Sequence, residues 1–190
     1  IDNHPDMDNP TIGGYARLAY VIKEIREEKQ NMNEDVLLFS AGDIIGGTPF
    51  SWLALERVPF DILAMHKLGY DATAIGNHEF DYGPDVLADY LLAAGYPGAH
   101  TIMPILGTNT EAPQDHALAK QGLYKDYHII ELENGLRIGL FALLGKHAIS
   151  VSPNAQGVTF KDQEETAKQA VAYLKEQAVD IIMALSHSGD

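Results

Sequence analysis

The sequence contains no cysteine, which excludes disulfides, thiolate zinc sites and a cysteine nucleophile. It leaves the compartment open, because many exported bacterial proteins also lack cysteine. Cations are scarce as well: 13 Lys and Arg stand against 27 Asp and Glu, a formal charge of -14. That balance argues against a general nucleic-acid binder, which needs a basic face. It would also repel an anionic substrate unless bound metal ions reverse the sign locally; otherwise the charge serves solubility. No apolar run reaches the length of a bilayer span. The chain opens at Ile1 without a basic-then-apolar leader, so any signal peptide is read as removed or as lying outside it. No internal repeat, low-complexity tract or interior linker breaks the 190 residues, of which 46% are hydrophobic. One domain with a full core is expected.

What is present alternates between helix and strand. Residues 1–12 are polar and read as loop. A helix is expected from Gly13-Gly14 to about Gln30, with Leu18, Ile22 and Ile25 on one face. Val36-Leu37-Leu38-Phe39 is an unbroken apolar run suited to a strand buried on both faces, and it ends at Ser40-Ala41-Gly42-Asp43. A helix over Pro59 to Leu68 stops at Gly69, and one over Asp85 to Ala94 stops at Gly95. Between them the strand Ala72 to Ile75 runs into Gly76-Asn77-His78-Glu79-Phe80-Asp81. A short strand, Ile102 to Leu106, leads to Gly107-Thr108-Asn109. Asn134-Gly135 between apolar runs signals a hairpin joining 127–132 to 136–144. Asp162 and Glu165 suit a capping box for a helix through Lys175, with Ala167, Val171 and Leu174 inward. The strand Ile181 to Leu185 ends in Ser186-His187-Ser188-Gly189-Asp190. The pattern predicts an α/β domain with mostly parallel central sheets flanked by helices, the hairpin being an antiparallel addition.

Three apolar strands thus end in possible metal ligands: Asp43, Asn77 and His187. Ligands bind outside the carboxyl ends of strands in open α/β sheets, and parallel strands bring such ends to one edge. A carboxylate, an amide oxygen and an imidazole suit Mn, Zn or Fe better than Ca or Mg. Each also has a plain structural reading: Asp43 as a cap for the glycine loop, Asn77 as a turn residue, His187 as a satisfied core histidine.

Ala41-Gly42-Asp43, Gly76-Asn77-His78-Glu79-Phe80-Asp81 and Ser186-His187-Ser188-Gly189 resemble metal motifs of the calcineurin-like metallophosphoesterases. The closer resemblance is to the branch holding 5'-nucleotidases, UDP-sugar hydrolases and 2',3'-cyclic nucleotide phosphodiesterases. Gly13-Gly14-Tyr15-Ala16-Arg17-Leu18, Gly47-Thr48-Pro49 and Pro104-Ile105-Leu106-Gly107-Thr108-Asn109 are similar to that branch too. The resemblance implies a four-layer α/β/β/α sandwich, present here in part, and two divalent metal ions. Asp43 would bridge the ions, with Asn77 and His187 completing the shell of the second. Ions about 3.5–4 Å apart acidify a bound water and clamp the phosphoryl oxygens during in-line attack, so the nucleophile would be metal-bound hydroxide. His78 would face the scissile phosphate as a catalytic group, with Asp81 fixing its tautomer. Glu79 would support the turn. The resemblance further implies a small nucleotide or phosphate-ester substrate, export to the periplasm, cell wall or outside, and no nucleic-acid polymer or membrane span as partner.

Two family motifs depart from the pattern. Asp2-Asn3-His4 has the letters of Asp-x-His but is followed by Pro5 rather than glycine, so the first metal's ligands are either Asp2 and His4 or lie upstream. Gly-His-x-His is absent, as is the nucleoside-recognising C-terminal domain of the family. Residues 1–190 are therefore read as a catalytic-domain fragment that binds metal weakly and hydrolyses poorly alone. Alternatives are cyclic-nucleotide phosphodiesterase or nucleotide-sugar pyrophosphatase chemistry on the same core, or an inactive binding module. His66, His100, His116, His128 and His147 lack ligand spacing, Trp52 and the tyrosines read as packing, and Asn109 is at most a support behind the ligands.

Overall fold

The computed structural model describes residues 13–46 and 49–188. Two compact units divide it, residues 1–38 and 39–190. In the first, helix α1 spans Tyr15–Asn31. Leu18 and Ile22 are buried as their spacing requires, but Ile25, on the same face, is 45% exposed.

In the second unit, parallel strands β1 (Phe39–Ser40), β2 (Ala72–Ala74) and β3 (Ile105–Leu106) form a three-stranded sheet in that order. Phe39 stands opposite Ala72 and Thr73 opposite Ile105. The run from Val36 contributes only its last residue to β1. Helices α2 (Phe60–Leu68) and α3 (Pro84–Ala93) share a core with this sheet through Ile62, Met65, Leu87 and Leu91 against Ile75 and Ile105. Gly69 ends α2 in the left-handed conformation, φ 72°, which glycine adopts without a Cβ penalty.

Strands β4 (Thr110–Glu111) and β7 (Thr159–Phe160) make a small antiparallel pair, and short helices α4 (Ala117–Lys120) and α5 (Lys146–Ser150) lie in connections. A second three-stranded sheet has the order β5 (Tyr127–Glu131), β6 (Arg137–Leu144), β8 (Ile181–His187). The expected hairpin is there, with Leu136 N–H donating to Asn134 Oδ1 at 2.9 Å. It belongs to this second sheet, whose β6 and β8 run parallel. Helix α6 (Gln163–Glu176) covers one face, and Asp162 Oδ1 caps it by accepting from the N–H groups of Glu164 and Glu165. The fully buried positions of α6 are Ala170 and Leu174, with Ala167 and Val171 at the flank. Leu174 sits over Gly139, where a Cβ would come within 2.9 Å of its Cδ2. That close seat sets the rotation of the helix. Ile181 and Met183 of β8 remain exposed; among the described residues β8 is an edge strand.

The layers therefore run helices, sheet, sheet, helix, with β2 and β8 in contact. The splice between the sheets follows from unequal strand lengths. β6 outruns β5, whose pairing stops at Tyr127 opposite Phe141. Thr108 and Asn109, just past β3, take over the open edge. Ala142 N–H donates to Thr108 Oγ1 at 2.8 Å, Leu144 N–H donates to Asn109 Oδ1 at 2.8 Å, and Asn109 Nδ2 donates to Leu144 O at 2.9 Å. Asn109 is 1% exposed, so its amide imitates one residue of a neighbouring strand. Orphaning a buried backbone group costs about 1–3 kcal/mol. Asn109→Leu strands both backbone groups of Leu144 and is expected to lower unfolding stability by about 2–4 kcal/mol in denaturant titrations.

Candidate metal centre

The site is assembled at the ends of β1, β2 and β8. After β1 the chain turns through Gly42 (φ 104°) and Asp43 (φ 56°), the second being a left-handed residue of the kind Asp tolerates. After β2 it passes through Gly76. A Cβ on Gly42 would lie 2.5 Å from Gly76 N, and one on Gly76 would lie 2.5 Å from Asp43 N. Two glycines are thus needed for the two strand ends to touch.

Glu79 locks the contact. It is 5% exposed, and its carboxylate accepts from the N–H groups of Asp43 (3.0 Å), Ile44 (2.6 Å), Ile45 (3.2 Å) and Gly76 (2.5 Å). Burial pushes the Glu79 carboxyl up, as does the Asp43 charge, while the N–H groups pull it back. The sequence reading placed Glu79 as support for its own turn; it also holds the Asp43 loop.

The three expected ligand residues do come together. His187 Nε2 lies 2.9 Å from Asn77 Oδ1 and 3.1 Å from Asp43 Oδ2. His187 Nδ1 lies 3.0 Å from Ala41 O, a carbonyl that can only accept, which orients the ring with Nε2 inward. Asp43 Oδ1 accepts from His78 N–H at 3.0 Å. Partial burial pushes the Asp43 carboxyl up, but hydrogen bonds from His187 and the His78 N–H outweigh it and hold the group below the usual carboxylate range. The Asp43 hydrogen bond raises His187 against a smaller desolvation effect. The route to this convergence differs from the sequence expectation of a single sheet edge. Asp43 and Asn77 follow neighbouring strands of the first sheet, whereas His187 ends β8 of the second. The Thr108–Asn109 splice brings the edges together.

His78 Nδ1 lies 2.8 Å from Asp81 Oδ2, as the motif implied, and that bond raises His78 above its ordinary range against a smaller desolvation effect. Gly46 packs against His78, where a Cβ would come within 2.9 Å of His78 Cβ and Cγ. Ser51 Oγ in turn accepts from Gly46 N–H at 3.0 Å.

The donor set fits a cation. Donor atoms sharing one ion at about 2.0–2.2 Å stand about 3 Å apart, which is the spacing of Nε2 from both oxygens. Among the described residues no cluster of three or more His, Cys, Asp or Glu side chains is suited to a metal; here the third donor is an amide. Asp2 and His4, and the Gly47-Thr48 and Gly189 parts of the motifs, lie outside the described residues.

Elsewhere the histidines pack or cap. His66 Nε2 meets the Tyr96 hydroxyl, His100 Nε2 meets Gly122 O, and His116 caps α4. Trp52 departs from its expected packing role, being 66% exposed. Burial depresses the pKa values of His66, His100 and His128. A depressed folded-state value means that the unfolded chain takes up protons first. Their stabilising share is therefore whole above the unfolded value of 6.5 and is lost as pH falls through the lower folded values. His78 and His187 act with the opposite sign, losing their share as pH rises through raised values. His128→Gln is expected to shrink the fall in unfolding free energy between pH 7 and about pH 5, as read by denaturant titration at each pH.

Sequence reasoning missed two residues of this neighbourhood. Gly46 belongs to a glycine-rich loop whose packing partner is invisible in sequence. Asn154 donates from Nδ2 to Asp81 O at 2.7 Å across 73 positions, and no local pattern announces that bond.

A pair of glycine turns at parallel strand ends, locked by a buried carboxylate, presents Asp43, Asn77 and His187 to one point. Residues 2–190 match the calcineurin-like phosphoesterase family, and the chain belongs to it. It is 35% identical over 178 residues to the 5'-nucleotidase of Rattus norvegicus, covering 94% of this chain and 29% of that protein. The 5'-nucleotidase precursor of Thermus thermophilus superposes with a TM-score of 0.75 at 31% identity, over 94% of this chain and 32% of that one. The Haemophilus influenzae NAD nucleotidase gives 0.76 at 26% identity, over 94% and 32%. The chain thus spans under a third of the length of these relatives. Divalent metal ions are what this family implies. No described helix is long and apolar enough to cross a membrane.

Proposed function

We propose that this chain is the metal-holding catalytic part of an enzyme that hydrolyses phosphate esters of nucleotides, as the 5'-nucleotidases similar to it do by name. The observation carrying this reading is the approach of His187 Nε2 to both Asn77 Oδ1 and Asp43 Oδ2, with His78 one residue from Asn77. Asp43, Asn77 and His187 would hold one divalent ion of a dinuclear pair, and Asp43 would serve the second as well. Mn, Zn or Fe suits this mixed N/O set ahead of Mg or Ca. When bound, the ions supply a water acidic enough to attack at neutral pH and positive charge for the phosphoryl oxygens. That positive charge also answers the chain's overall negative charge.

The chain's own groups then position and protonate. Asp81 accepts from His78 Nδ1–H, so Nε2 is the nitrogen that meets substrate. The raised proton affinity of His78 keeps a proton at Nε2. It donates to a phosphoryl oxygen as charge builds, or to the departing ester oxygen. Glu79 touches no substrate; it fixes the two loops on which Asp43 and His78 ride. Similarity to a 5'-nucleotidase precursor supports an enzyme working outside the cytoplasm, on a small molecule rather than a polymer.

Titrating Mn into metal-free protein while following phosphate release from AMP tests the reading. Saturable, metal-dependent release is expected, slow in residues 1–190 alone, and abolished by Asp43→Ala. Metal-independent turnover, or none towards any phosphate ester, would remove it.

A further inference from the structure

A 3₁₀ turn over Pro49–Ala54 leaves apolar side chains in solvent just before α2. Its threefold repeat gives the turn three edges. Ser51 and Ala54 occupy one edge and are buried. Phe50 and Leu53 occupy the second, where Phe50 stacks on Phe60 of α2 with ring centroids 5.8 Å apart. Trp52 and Leu55 share the third, since the Leu55 N–H extends the turn by donating to Trp52 O at 3.1 Å. Phe50, Trp52, Leu55, Val58, Phe60 and Leu63 all remain exposed. Together they leave about 550 Å² of largely apolar surface in water, near the top of the range of about 300–600 Å² for the largest patch on a monomer.

This face carries both a knob and a hole. The knob is Trp52, 66% exposed. The hole is a cleft of about 400 Å³ between the turn and α3, lined by Leu55, Ala54, Val86, Arg57 and Asp89. Trp52 and the Leu55 wall stand one 3₁₀ turn apart on one edge, about 6 Å along its axis. The Arg57 guanidinium is fixed at the cleft by Asp89 Oδ2, 2.9 Å from Nε and 2.8 Å from Nη2. An indole entering there would meet apolar walls and a planar cation suited to its ring face.

A two-fold contact requires a surface that complements itself, residue i meeting j while j meets i. A protruding indole beside a cleft that suits an indole meets that requirement. The area agrees as well. A standard interface takes about 800 Å² from each partner, about 65% of it apolar in homodimers, and this patch supplies that apolar share. The repulsion between two chains of charge -14 is screened beyond about 8 Å at physiological ionic strength. A lipid surface would cover the ridge but offer nothing to fill the cleft.

We propose that this face is a two-fold interface between copies of this chain, the Trp52 of each seated in the other's cleft between Leu55 and Arg57. The contact uses none of Asp43, Asn77, His78 and His187 and is independent of the hydrolase reading. It also gives Trp52 the packing partner that its own copy does not supply.

Trp52 is the single tryptophan of the chain, so its fluorescence reports on this face alone. Sedimentation equilibrium and tryptophan emission are to be followed on the same samples across the micromolar range, where interfaces of this size begin. The expected result is a mass rising from monomer to dimer, with emission moving to shorter wavelength at the same midpoint as the indole leaves water. Leu55→Glu places a charge in the contact and is expected to weaken dimerisation about 30-fold or more. Leu55 is exposed in one copy, so the variant's circular dichroism should match the parent's. Trp52→Ser, read by mass alone, should likewise remain monomeric. A monomeric mass with solvent-like emission throughout would overturn the proposal. So would a dimer whose emission does not move, or one that persists in both variants. A monomer whose emission shifts only when phosphatidylcholine–phosphatidylglycerol vesicles are added would assign the face to a membrane and overturn it too.

Discussion

Replacing His78 by asparagine is expected to lower kcat/KM for AMP by about 10²–10⁴-fold, the range of a lost general acid or charge-stabilising group. The loss should fall mainly on kcat. The imidazole is held by Asp81 at 2.8 Å and packs beside Gly46, so its position is set before substrate arrives. Its backbone N–H, not its ring, is what Asp43 Oδ1 accepts from. An asparagine side chain leaves that N–H in place, so Mn binding, followed by calorimetry, should stay within about threefold of the parent. Activity lost together with metal would instead make His78 part of the ion's shell. Full activity would remove it from the chemistry.

The second large effect concerns Glu79, which touches neither ion nor substrate in this reading. Glu79→Gln exchanges one oxygen for an NH2 group facing backbone N–H donors, and since each oxygen accepts from two of them, two of the four N–H groups lose their acceptor. Each orphan costs about 1–3 kcal/mol, and the amide's own donors meet donors. A loss of about 3 kcal/mol is expected, which in a chain of this size lowers Tm by about 6–12 °C. Mn affinity should fall too, because the Asp43 loop loses its anchor. A Tm within about 2 °C of the parent would show that water replaces the carboxylate and that Glu79 is dispensable.

The candidate site residues were legible in sequence because they sit where apolar runs stop. Asp43, Asn77 and His187 needed only that rule, and His78 with Asp81 needed the spacing of one turn. Helix stops at Gly69 and Gly95 were equally visible, since a left-handed residue leaves few choices. Strand membership was less visible. β8 reads as an apolar run whichever sheet it joins, and a parallel ladder leaves no local mark of its neighbour. The expectation of one shared edge therefore missed that His187 arrives from a second sheet. Asn109 and Asn154 were hidden for a related reason: an amide that completes a distant backbone looks like any loop asparagine. Trp52 misled because an aromatic side chain is a good prior for burial, and the structure leaves it largely in solvent.

The splice at Thr108 and Asn109 also bears on how the centre can fail. The imidazole and the carboxylate are carried by different slabs, registered by the Thr108 and Asn109 side chains and a single Leu106–Lys125 backbone bridge rather than by a long shared ladder. A slip at that joint would widen the gap between His187 and Asp43 before any strand frayed. Affinity for the cation would then decline while the far-ultraviolet signature of the protein stayed whole, so ion retention is the earlier gauge of damage.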